Sequence, residues 1–539
     1  MLAAFFSPLA PAAVLLLGAF LLPLVVFQLP LRWRTQPWLR SFGAPGLVGL
    51  AIVALLGVRL TFGADAAGQG LETLSGWNFT AAEPVALNIR ADTLSLPFLM
   101  LTSLILLAVT LATPLLAPTR QQEENVSDLA IWLALGASAC FLFVSANGLT
   151  LIYAVFGFDV LTMFYWLQRG QRHLSLARVF LGVFTAFGLT LATLTPASGL
   201  VPGATWLGLA LWLRLGLYPF LEATRHTRSR DEHGLTYVGL SVSVGLYVAA
   251  RVLTKPLPDE IVWLAILLAL LNGVLAWLSA QPADFLARLL LVEALLALLM
   301  MPLGPGVITA ASVGLILSLI VLWLTPRLGQ PRLNEGAWSW PYLPALAATL
   351  TLVGLPFSLG WLARTTLYGN LFYSGSSALA VILIMLAEAL AFSGLIRYWF
   401  TLWQGDEINE RRSLVSIVVM VPFLIPGLAL LVLSTMTKTE LPPADFNQPL
   451  AVWLALLTTL VGAFGLEVLR PRWLSGLGLS APELAEWVNL DWLLIGLERM
   501  LNHLGKFVLR LWVIVEGQHY LGWALLTALV GVLVILLST

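Results

Sequence analysis

Arg214 is a permanent cation near the end of a long apolar run, and Pro219, a helix breaker, follows it closely. The stretch at 211–230 reads LWLRLGLYPFLEATRHTRSR. An arginine at the centre of a bilayer costs roughly 2.5–3.5 kcal/mol on the most lenient insertion scale, so it needs a partner or a role. A charge beside an interrupted helix is typical of sites that bind or conduct ions inside a membrane.

A second stretch repeats this arrangement downstream, at 350–370, and reads LTLVGLPFSLGWLARTTLYGN. Gly354, Pro356 and Gly360 interrupt the apolar run, and Arg364 follows them. Two interpretations of Arg364 are open. It is either a charge that shapes an ion site or a side chain that snorkels to the outer end of its helix.

Glu293 and Glu388 are acids that lie inside other apolar runs. A carboxylate can gain and lose a proton, whereas a guanidinium stays charged in proteins. Intramembrane acids are therefore candidates for a proton path. The structural alternative pairs Glu293 with the nearby Arg288, and Glu388 with Arg397 or with a partner subunit.

Composition indicates the class of protein that positions these residues. The chain has 539 residues, of which 59% are hydrophobic and 10% charged, and its mean hydropathy is +0.91. Soluble domains carry about 25% charged residues, so we predict a polytopic membrane protein. A net charge of zero gives no support to a nucleic-acid partner. The single cysteine and the five histidines show no metal-binding spacing, and we expect neither a metal nor a cofactor in this chain.

About 20 apolar residues are needed to cross a bilayer, and this rule gives about sixteen spans. The predicted spans lie near 3–29, 43–62, 94–116, 128–145, 147–167, 174–196, 203–221, 234–252, 260–280, 286–303, 306–325, 341–361, 376–402, 414–436, 449–469 and 517–538. The fold class predicted is an all-α polytopic membrane protein with about 14–16 transmembrane helices.

The interrupted spans are the seventh and the twelfth, which lie five apart. Such a pair predicts two inverted five-helix repeats, spans 4–8 and spans 9–13, with broken helices 7 and 12. The predicted divisions are spans 1–3 in 1–127, a first repeat in 128–252, a second in 260–402 and C-terminal spans in 414–539. An amphipathic pattern near 482–515 predicts a surface helix lying against lipid or a partner subunit.

Arginines cluster in the loops that follow odd-numbered spans, as at Arg225, Arg228 and Arg230. The positive-inside rule therefore places these loops in the cytoplasm. We expect a multi-pass protein of a bacterial cytoplasmic (inner) membrane, with both termini on the outer, periplasmic side.

Seven stretches resemble, in order, the antiporter-like proton-channel subunits of respiratory complex I, membrane-bound hydrogenases and Mrp-type sodium/proton antiporters. They are NIRADTLSLPF (88–98), FDVLTMFYWL (158–167), RLGLYPF (214–220), GLYVAAR (245–251), QPADFLARLLLVEALLAL (281–298), GLPFSLGWLAR (354–364) and AFSGLIRYWFTLW (391–403). The match covers residues 85–405, and the chain is identified as a divergent member of this family.

The resemblance implies where charges act. In the family a buried Glu on span five pairs with a Lys on span seven, and Asp159 and Arg214 occupy these positions here. The pair is either a charge switch that gates protonation of a neighbour or a permanent ion pair that holds the broken helix. Tyr237 and Ser318 stand where the family carries further lysines, so a series of titratable lysines is missing.

The family implies a membrane subunit of a complex I-related assembly, partnered by other membrane subunits and lipid. Such a subunit is involved in, or structurally derived from, proton translocation coupled to redox chemistry in other subunits. We predict no catalytic residue of its own, although the assembly could be a proton-translocating NADH- or ferredoxin:quinone-type oxidoreductase. The alternatives are an Mrp-like cation/proton antiporter subunit and a proton-conducting membrane partner of an inorganic-carbon uptake complex. Protons or sodium are the only small substrates expected, and the loss of lysines suggests a weakened or retired proton path.

Overall fold

The computed structural model describes residues 7–28, 37–62, 72–77, 85–116, 122–168, 182–191, 203–215, 234–252, 257–328, 342–356, 358–373, 377–403, 450–477 and 480–488, with a few single helical positions between 425 and 510. Residues 1–488 form one compact unit and residues 489–539 form another. In the second unit the described positions, such as Gly496 and Arg499, are helical.

The helices up to residue 252 are, in chain order, α1 (Ala10–Gln28), α2 (Pro37–Phe62), α3 (Ser95–Leu116), α4 (Gln122–Phe143), α5 (Gly148–Gln168), α6 (Gly182–Leu191), α7 (Gly203–Arg214) and α8 (Gly234–Val252). Those that follow are α9 (Asp259–Leu278), α10 (Pro282–Leu299), α11 (Pro305–Leu328), α12 (Leu343–Val353), α13 (Leu359–Tyr373), α14 (Ala378–Trp403), α15 (Leu450–Leu477) and α16 (Ala481–Val488). A short 3₁₀ turn, Met301–Leu303, joins α10 to α11.

Six of the described helices are long and apolar enough to cross a membrane. These segments are Ser95–Ala112, Gly148–Gln168, Asp259–Leu278, Gly306–Pro326, Ala378–Leu402 and Leu450–Ser475. Shorter apolar helices accompany them, among them Tyr237–Val252 and Leu343–Val353. The prediction of a helical, polytopic membrane fold is confirmed.

The outer face of α15 shows how these helices meet lipid. Leu454, Leu457, Val461, Phe464 and Val468 recur at steps of three and four residues, and all are exposed. An apolar stripe on the outside is what a helix in a bilayer presents, whereas a soluble protein rarely exposes so large an apolar patch.

A β-hairpin departs from the all-helical prediction. Strands β1 (Glu72–Trp77) and β2 (Val85–Ile89) pair antiparallel between α2 and α3. Ile89 also forms an isolated bridge with Ser145, which follows α4. Asp92, just beyond β2, accepts from the Ser95 backbone amide at 2.8 Å and pairs with Arg251 at the end of α8. The hairpin is thereby tied to three helices.

The predicted span twelve is two helices with a break between them. α12 ends at Gly354, whose φ of 73° lies in the left-handed region, where a residue without a Cβ is favoured. The chain restarts as α13 at Leu359 and runs to Tyr373. The helix therefore continues past 361, where the predicted span ends, and the polar residues Arg364 and Thr365 that follow are buried.

α9, α14 and α15 pack side by side, and α16 lies against α9. The apolar residues Leu484 and Ala485 of α16 pack against Trp277 and Leu278 of α9. The first two turns of this amphipathic segment thus pack, partly buried, against α9. That the segment as a whole lies against lipid or a partner subunit stays a prediction.

Several predictions fall outside the described residues. Pro219 and the predicted span near 517–538 lie outside the described residues. The predicted span near 414–436 also lies outside them, apart from three helical positions. The inverted relation of the two halves, α4–α8 and α9–α14, and the boundaries of the predicted domains remain predictions.

Candidate functional site: a buried charge cluster at the helix break

The structure brings Asp159 of α5 and Arg214 of α7 together. Arg214 Nη1 donates to Asp159 Oδ1 at 2.5 Å, and both side chains are only 2% exposed. The guanidinium lies over the ring of Phe158, 5.2 Å from its centroid. Arg214 is the last residue of its helix, where a cation is favoured by the helix dipole. The ion pair itself joins one acid to one base, so the two side chains together are neutral without an added proton.

The backbone of α6 packs against one side of the Asp159–Arg214 pair, at Gly182. A Cβ added to Gly182 would lie 2.6 Å from Asp159 Oδ2, which is closer than real Cβ contacts come. The carboxylate is therefore packed tightly against α6. Tight packing on this side favours a fixed pair over a mobile one.

The positions where the resemblance expects further lysines hold a tyrosine and a serine. Tyr237 of α8 is fully buried and stacks on Tyr165, with ring centroids 5.2 Å apart, and meets Trp166 edge-on. Ser318 of α11 is buried, and its hydroxyl finds no hydrogen-bond partner among the described residues. Neither a tyrosine in an aromatic cluster nor a serine replaces the proton chemistry of lysine.

The break between α12 and α13 makes room for Arg364. A Cβ on Gly354 would lie 2.5 Å from Arg364 Cδ, so the missing side chain is where the arginine stem passes. A Cβ on Gly360 would lie 1.8 Å from the carbonyl oxygen of Thr351, so the two helix ends touch through backbone. Trp361, one turn before Arg364, packs on Trp453 of α15 and holds α13 in place.

Arg364 lies between two carboxylates from different helices. Its Nη2 donates to Glu293 Oε1 of α10 at 2.5 Å, and its Nε donates to Glu388 Oε1 of α14 at 3.1 Å. The guanidinium also faces the ring of Phe392, 5.0 Å from the centroid. Arg364 is 3% exposed, so it does not snorkel to the end of its helix.

Tyr368, one turn after Arg364, completes the cluster. Its hydroxyl donates to Glu388 Oε2 at 2.5 Å. Both oxygens of Glu388 therefore accept hydrogen bonds, and the residue is fully buried. We call Glu293, Arg364, Tyr368 and Glu388 the charge cluster.

A small cavity opens beside the charge cluster at the helix break. Glu293 and Arg364 line it together with Thr351, Gly360 and Gly314. The space that the centres of water molecules can occupy is about 20 Å³. Room for one water molecule requires about 10–15 Å³ by the same measure, so the cavity is large enough for one.

The charge cluster has more acid than base. With both glutamates ionised and Arg364 protonated, two negative charges face one positive charge in a buried site. Burial of an unbalanced charge is costly, and carboxylates that share a site tend to keep one proton between them. The cluster becomes neutral when a single proton binds to either glutamate.

The partners of the acidic residues differ from those the sequence suggested. The structural alternative paired Glu293 with Arg288, but the structure pairs Glu293 with Arg364, 71 residues away in sequence. Arg288 instead donates to the side-chain oxygen of Asn272 at 3.3 Å. The difference arises because pairing follows helix packing and not closeness along one helix.

Glu388 was expected to pair with Arg397 or with a partner subunit. Arg397, however, forms a bidentate ion pair with Glu467 of α15. Its Nη2 donates to Glu467 Oε2 at 2.7 Å and its Nε donates to Glu467 Oε1 at 3.0 Å. It also donates to the carbonyl oxygen of Ser279 at the end of α9, at 2.7 Å. Sequence reasoning did not single out Glu467 or Tyr368. For Tyr368, its spacing of four residues from Arg364 was the available signal.

Among the described residues, no group of three or more His, Cys, Asp and Glu side chains is arranged to hold a metal ion. The groups that the structure assembles are therefore those of an ion-pair cluster: two carboxylates, one guanidinium and one phenol.

The whole fold is similar to chains of two membrane complexes of known structure. A chain of the membrane-bound sulfane sulfur reductase, an archaeal respiratory membrane complex, matches with a TM-score of 0.65 over 98% of this chain and 99% of that chain. A chain of the Mrp complex from Dietzia sp. DQ12-45-1b matches with a TM-score of 0.62 over 85% of this chain and 97% of that one. The chain shares their fold. Sequence identity is 14% in both cases, so the likeness is one of fold alone.

No family model matches the sequence, and no curated protein does. The resemblance to antiporter-like membrane subunits, drawn from seven short stretches, is confirmed at the level of the fold by structure. The charge cluster thus lies inside a multi-pass membrane protein with this fold.

Proposed function

We propose that this chain is a membrane subunit of a multi-subunit, complex I-related assembly and that its second half takes part in proton translocation. The fold that it shares with chains of a respiratory membrane complex and an Mrp complex supports the subunit role. The surplus acid of the charge cluster, beside a cavity large enough for one water molecule, is the observation that carries the proton role. Redox chemistry, in this proposal, belongs to other subunits.

The two halves have different parts in this proposal. Arginine cannot release its proton in a protein, so Arg214 and Arg364 act as fixed positive charges. In the first half one fixed charge balances one acid, and the pair serves to hold α5 and α7 together. In the second half one fixed charge faces two acids, which leaves a carboxylate free to exchange a proton. In this proposal, acidic residues of the second half carry the proton in place of the lysines that the family has and this chain lacks.

Proton flux through the purified assembly tests this proposal. The assembly is placed in vesicles, and proton uptake is driven by an imposed potassium diffusion potential. Glu388→Gln removes the surplus acid, so that Arg364 balances Glu293, and is expected to lower the proton flux about tenfold or more. Glu467→Gln is the matched control, because it alters a partly buried ion pair between α14 and α15 and leaves the charge cluster intact. Unchanged flux in Glu388→Gln would contradict the proposal.

An Mrp-like antiporter subunit is the second candidate, favoured by the match to 97% of a chain from an Mrp complex. The proteins that copurify in mild detergent separate the two. Subunits with iron–sulfur or quinone sites favour the respiratory assembly, and small multispan membrane subunits favour the antiporter.

We also propose, from the arginine distribution, that the chain lies in a bacterial cytoplasmic membrane with both termini outside.

A further inference from the structure

We infer that Glu293 is the group of the charge cluster that takes up and releases the proton, while Glu388, Arg364 and Tyr368 stay joined to one another by hydrogen bonds. This inference rests on the proposed function, because it names the ion and the residue that carries it. Four observations support it: the donors at each carboxylate, the place of the cavity, the charges around Glu293 and the size of the site.

The two glutamates differ in their hydrogen bonds. Glu388 accepts at Oε1 from Arg364 Nε and at Oε2 from the Tyr368 hydroxyl, and it is completely buried. Hydrogen bonds from two donors favour the charged form of a carboxylate. Both oxygens of Glu388 are thus already engaged by donors, whereas one oxygen of Glu293 is not.

Glu293 has one oxygen held by Arg364, through Oε1, and its side chain lines the cavity at the helix break. It is 8% exposed, against 0% for Glu388. A proton can pass between a water molecule in the cavity and a carboxylate that lines it. Of the two acids, only Glu293 is among the residues that line this cavity.

The charges that act on Glu293 come from two helices. Arg364 of α13 attracts it, and Glu388 of α14 repels it. Among the described residues of α8 and α11, no charged side chain acts on Glu293, and α9 presents the neutral Asn272 to the neighbouring Arg288. Arg364 and Glu388 are thus the charged neighbours of Glu293 that the described residues place in the cluster.

The dimensions of the site favour a proton over a metal cation. Hard cations such as Ca²⁺ and Mg²⁺ bind about six or more oxygen ligands, and sodium shares this preference for oxygen. Here three of the four carboxylate oxygens are already bound by donors, and the cavity has room of about 20 Å³ for water centres. A proton needs only one free carboxylate oxygen.

The step itself is a simple proton transfer. A hydronium ion in the cavity gives up one O–H bond as a new O–H bond forms on the Glu293 carboxylate. This leaves a neutral water molecule and takes the net charge of the cluster from −1 to 0. Release returns the proton to water and restores the charge. Arg364 stays protonated throughout, and no other bond is made or broken.

Labelling with a hydrophobic carbodiimide, dicyclohexylcarbodiimide, tests which acid holds the proton, because this reagent adds to protonated carboxylic acids. The full assembly is treated at several pH values, and the labelled position is found by peptide mass spectrometry. We expect the label on Glu293, decreasing as the pH rises and unchanged by added sodium. In Glu388→Gln, where Glu293 and Arg364 balance, labelling of Glu293 should fall about tenfold or more. Glu467→Gln should label as the wild type does.

Label on Glu388, or protection of Glu293 by sodium at constant pH, would overturn the inference. Where neither acid is labelled, infrared spectra decide: a protonated carboxylic acid gives a C=O band in the wild type that Glu293→Gln should lack. A wild type without this band also overturns the inference. Failure of the proposed function looks different, since Glu293 would then carry the label while proton flux in the variants stayed unchanged.

Discussion

Arg364 and Glu293 form an ion pair of 2.5 Å between α13 and α10, at the point where α12 and α13 are interrupted. The break and the charge belong together: Gly354 leaves space for the arginine stem, and the cavity beside the break reaches the glutamate. An interrupted span thus brings a fixed cation, an acid with a free oxygen and room for water to one place.

Removal of the Arg364 charge should destabilise the fold. Arg364→Gln leaves Glu293 and Glu388 without a counter-charge in a buried site, and breaking a buried ion pair costs about 3–5 kcal/mol. The thermal unfolding of the purified chain in detergent, followed by tryptophan fluorescence, measures this loss. Adding Glu388→Gln should restore part of the stability, because the remaining acid can become neutral. If Arg364→Gln alone is as stable as the wild type, the Arg364 charge does not stabilise the charge cluster.

The contact of the two helix ends should tolerate no side chain at Gly360. Gly360→Ala puts a Cβ 1.8 Å from the Thr351 carbonyl oxygen, so the break must widen or the chain fails to fold. We expect a large fall in the yield of folded protein, measured by size-exclusion chromatography in detergent.

Gly369→Ala is the matched control on the same helix, since a Cβ there meets nothing within 4 Å. Alanine is favoured over glycine in a helix by about 1 kcal/mol, so this variant should be as stable as the wild type or slightly more so. Equal effects of the two substitutions would contradict the close contact at Gly360.

The Asp159–Arg214 pair should matter for stability and not for proton flux. Asp159→Asn removes the charge of one partner in a buried ion pair, with an expected loss of about 3–5 kcal/mol in the free energy of unfolding. Flux per assembled complex should stay close to that of the wild type. Measuring both the unfolding temperature and the flux separates this structural role from a charge switch, which would abolish flux.

The breaks in the helices are easier to predict from sequence than the partners of the charges. Glycine and proline act locally on the backbone, so Gly354 and Pro356 mark the interruption by their residue types alone. Ion pairs between helices depend on packing instead. Arg364 meets Glu293 across 71 residues of sequence, while Arg288, only a turn and a half away, donates elsewhere.

The second helix of span twelve continues past the predicted end of the span, near 361. Arg364, Thr365 and Tyr368 look like residues of a loop, yet all three are buried in α13. Each has a partner inside the fold, as when the Thr365 hydroxyl donates to the Trp361 carbonyl oxygen at 2.8 Å. A hydropathy rule counts polar residues as exposed and cannot anticipate partners from other helices.

Asp92 makes one part of the stability depend on pH. Burial acts to raise its pKa, but hydrogen bonds from Ser95 and the nearby Arg251 outweigh burial, and the pKa of Asp92 is lowered from its ordinary 3.8. A lowered pKa in the folded state contributes stability above the unfolded value, and this contribution is lost as the pH falls through the folded value.

Asp92→Asn should therefore be less stable than the wild type above about pH 4, and the difference should shrink toward lower pH. Thermal unfolding at a series of pH values measures this. The same substitution should not change the pH dependence of carbodiimide labelling, because Asp92 is not part of the charge cluster. A stability difference that grows on acidification would contradict the assignment.

Proton flux through vesicles that contain the purified assembly, compared between Glu293→Gln and Asp159→Asn at equal amounts of assembled complex, tests the central claim most directly. Glutamine keeps a hydrogen-bond acceptor for Arg364, so Glu293→Gln should assemble. The predicted result is a loss of about tenfold or more in Glu293→Gln and near wild-type flux in Asp159→Asn. Wild-type flux in Glu293→Gln, or loss of flux in Asp159→Asn alone, would contradict a proton site in the second half.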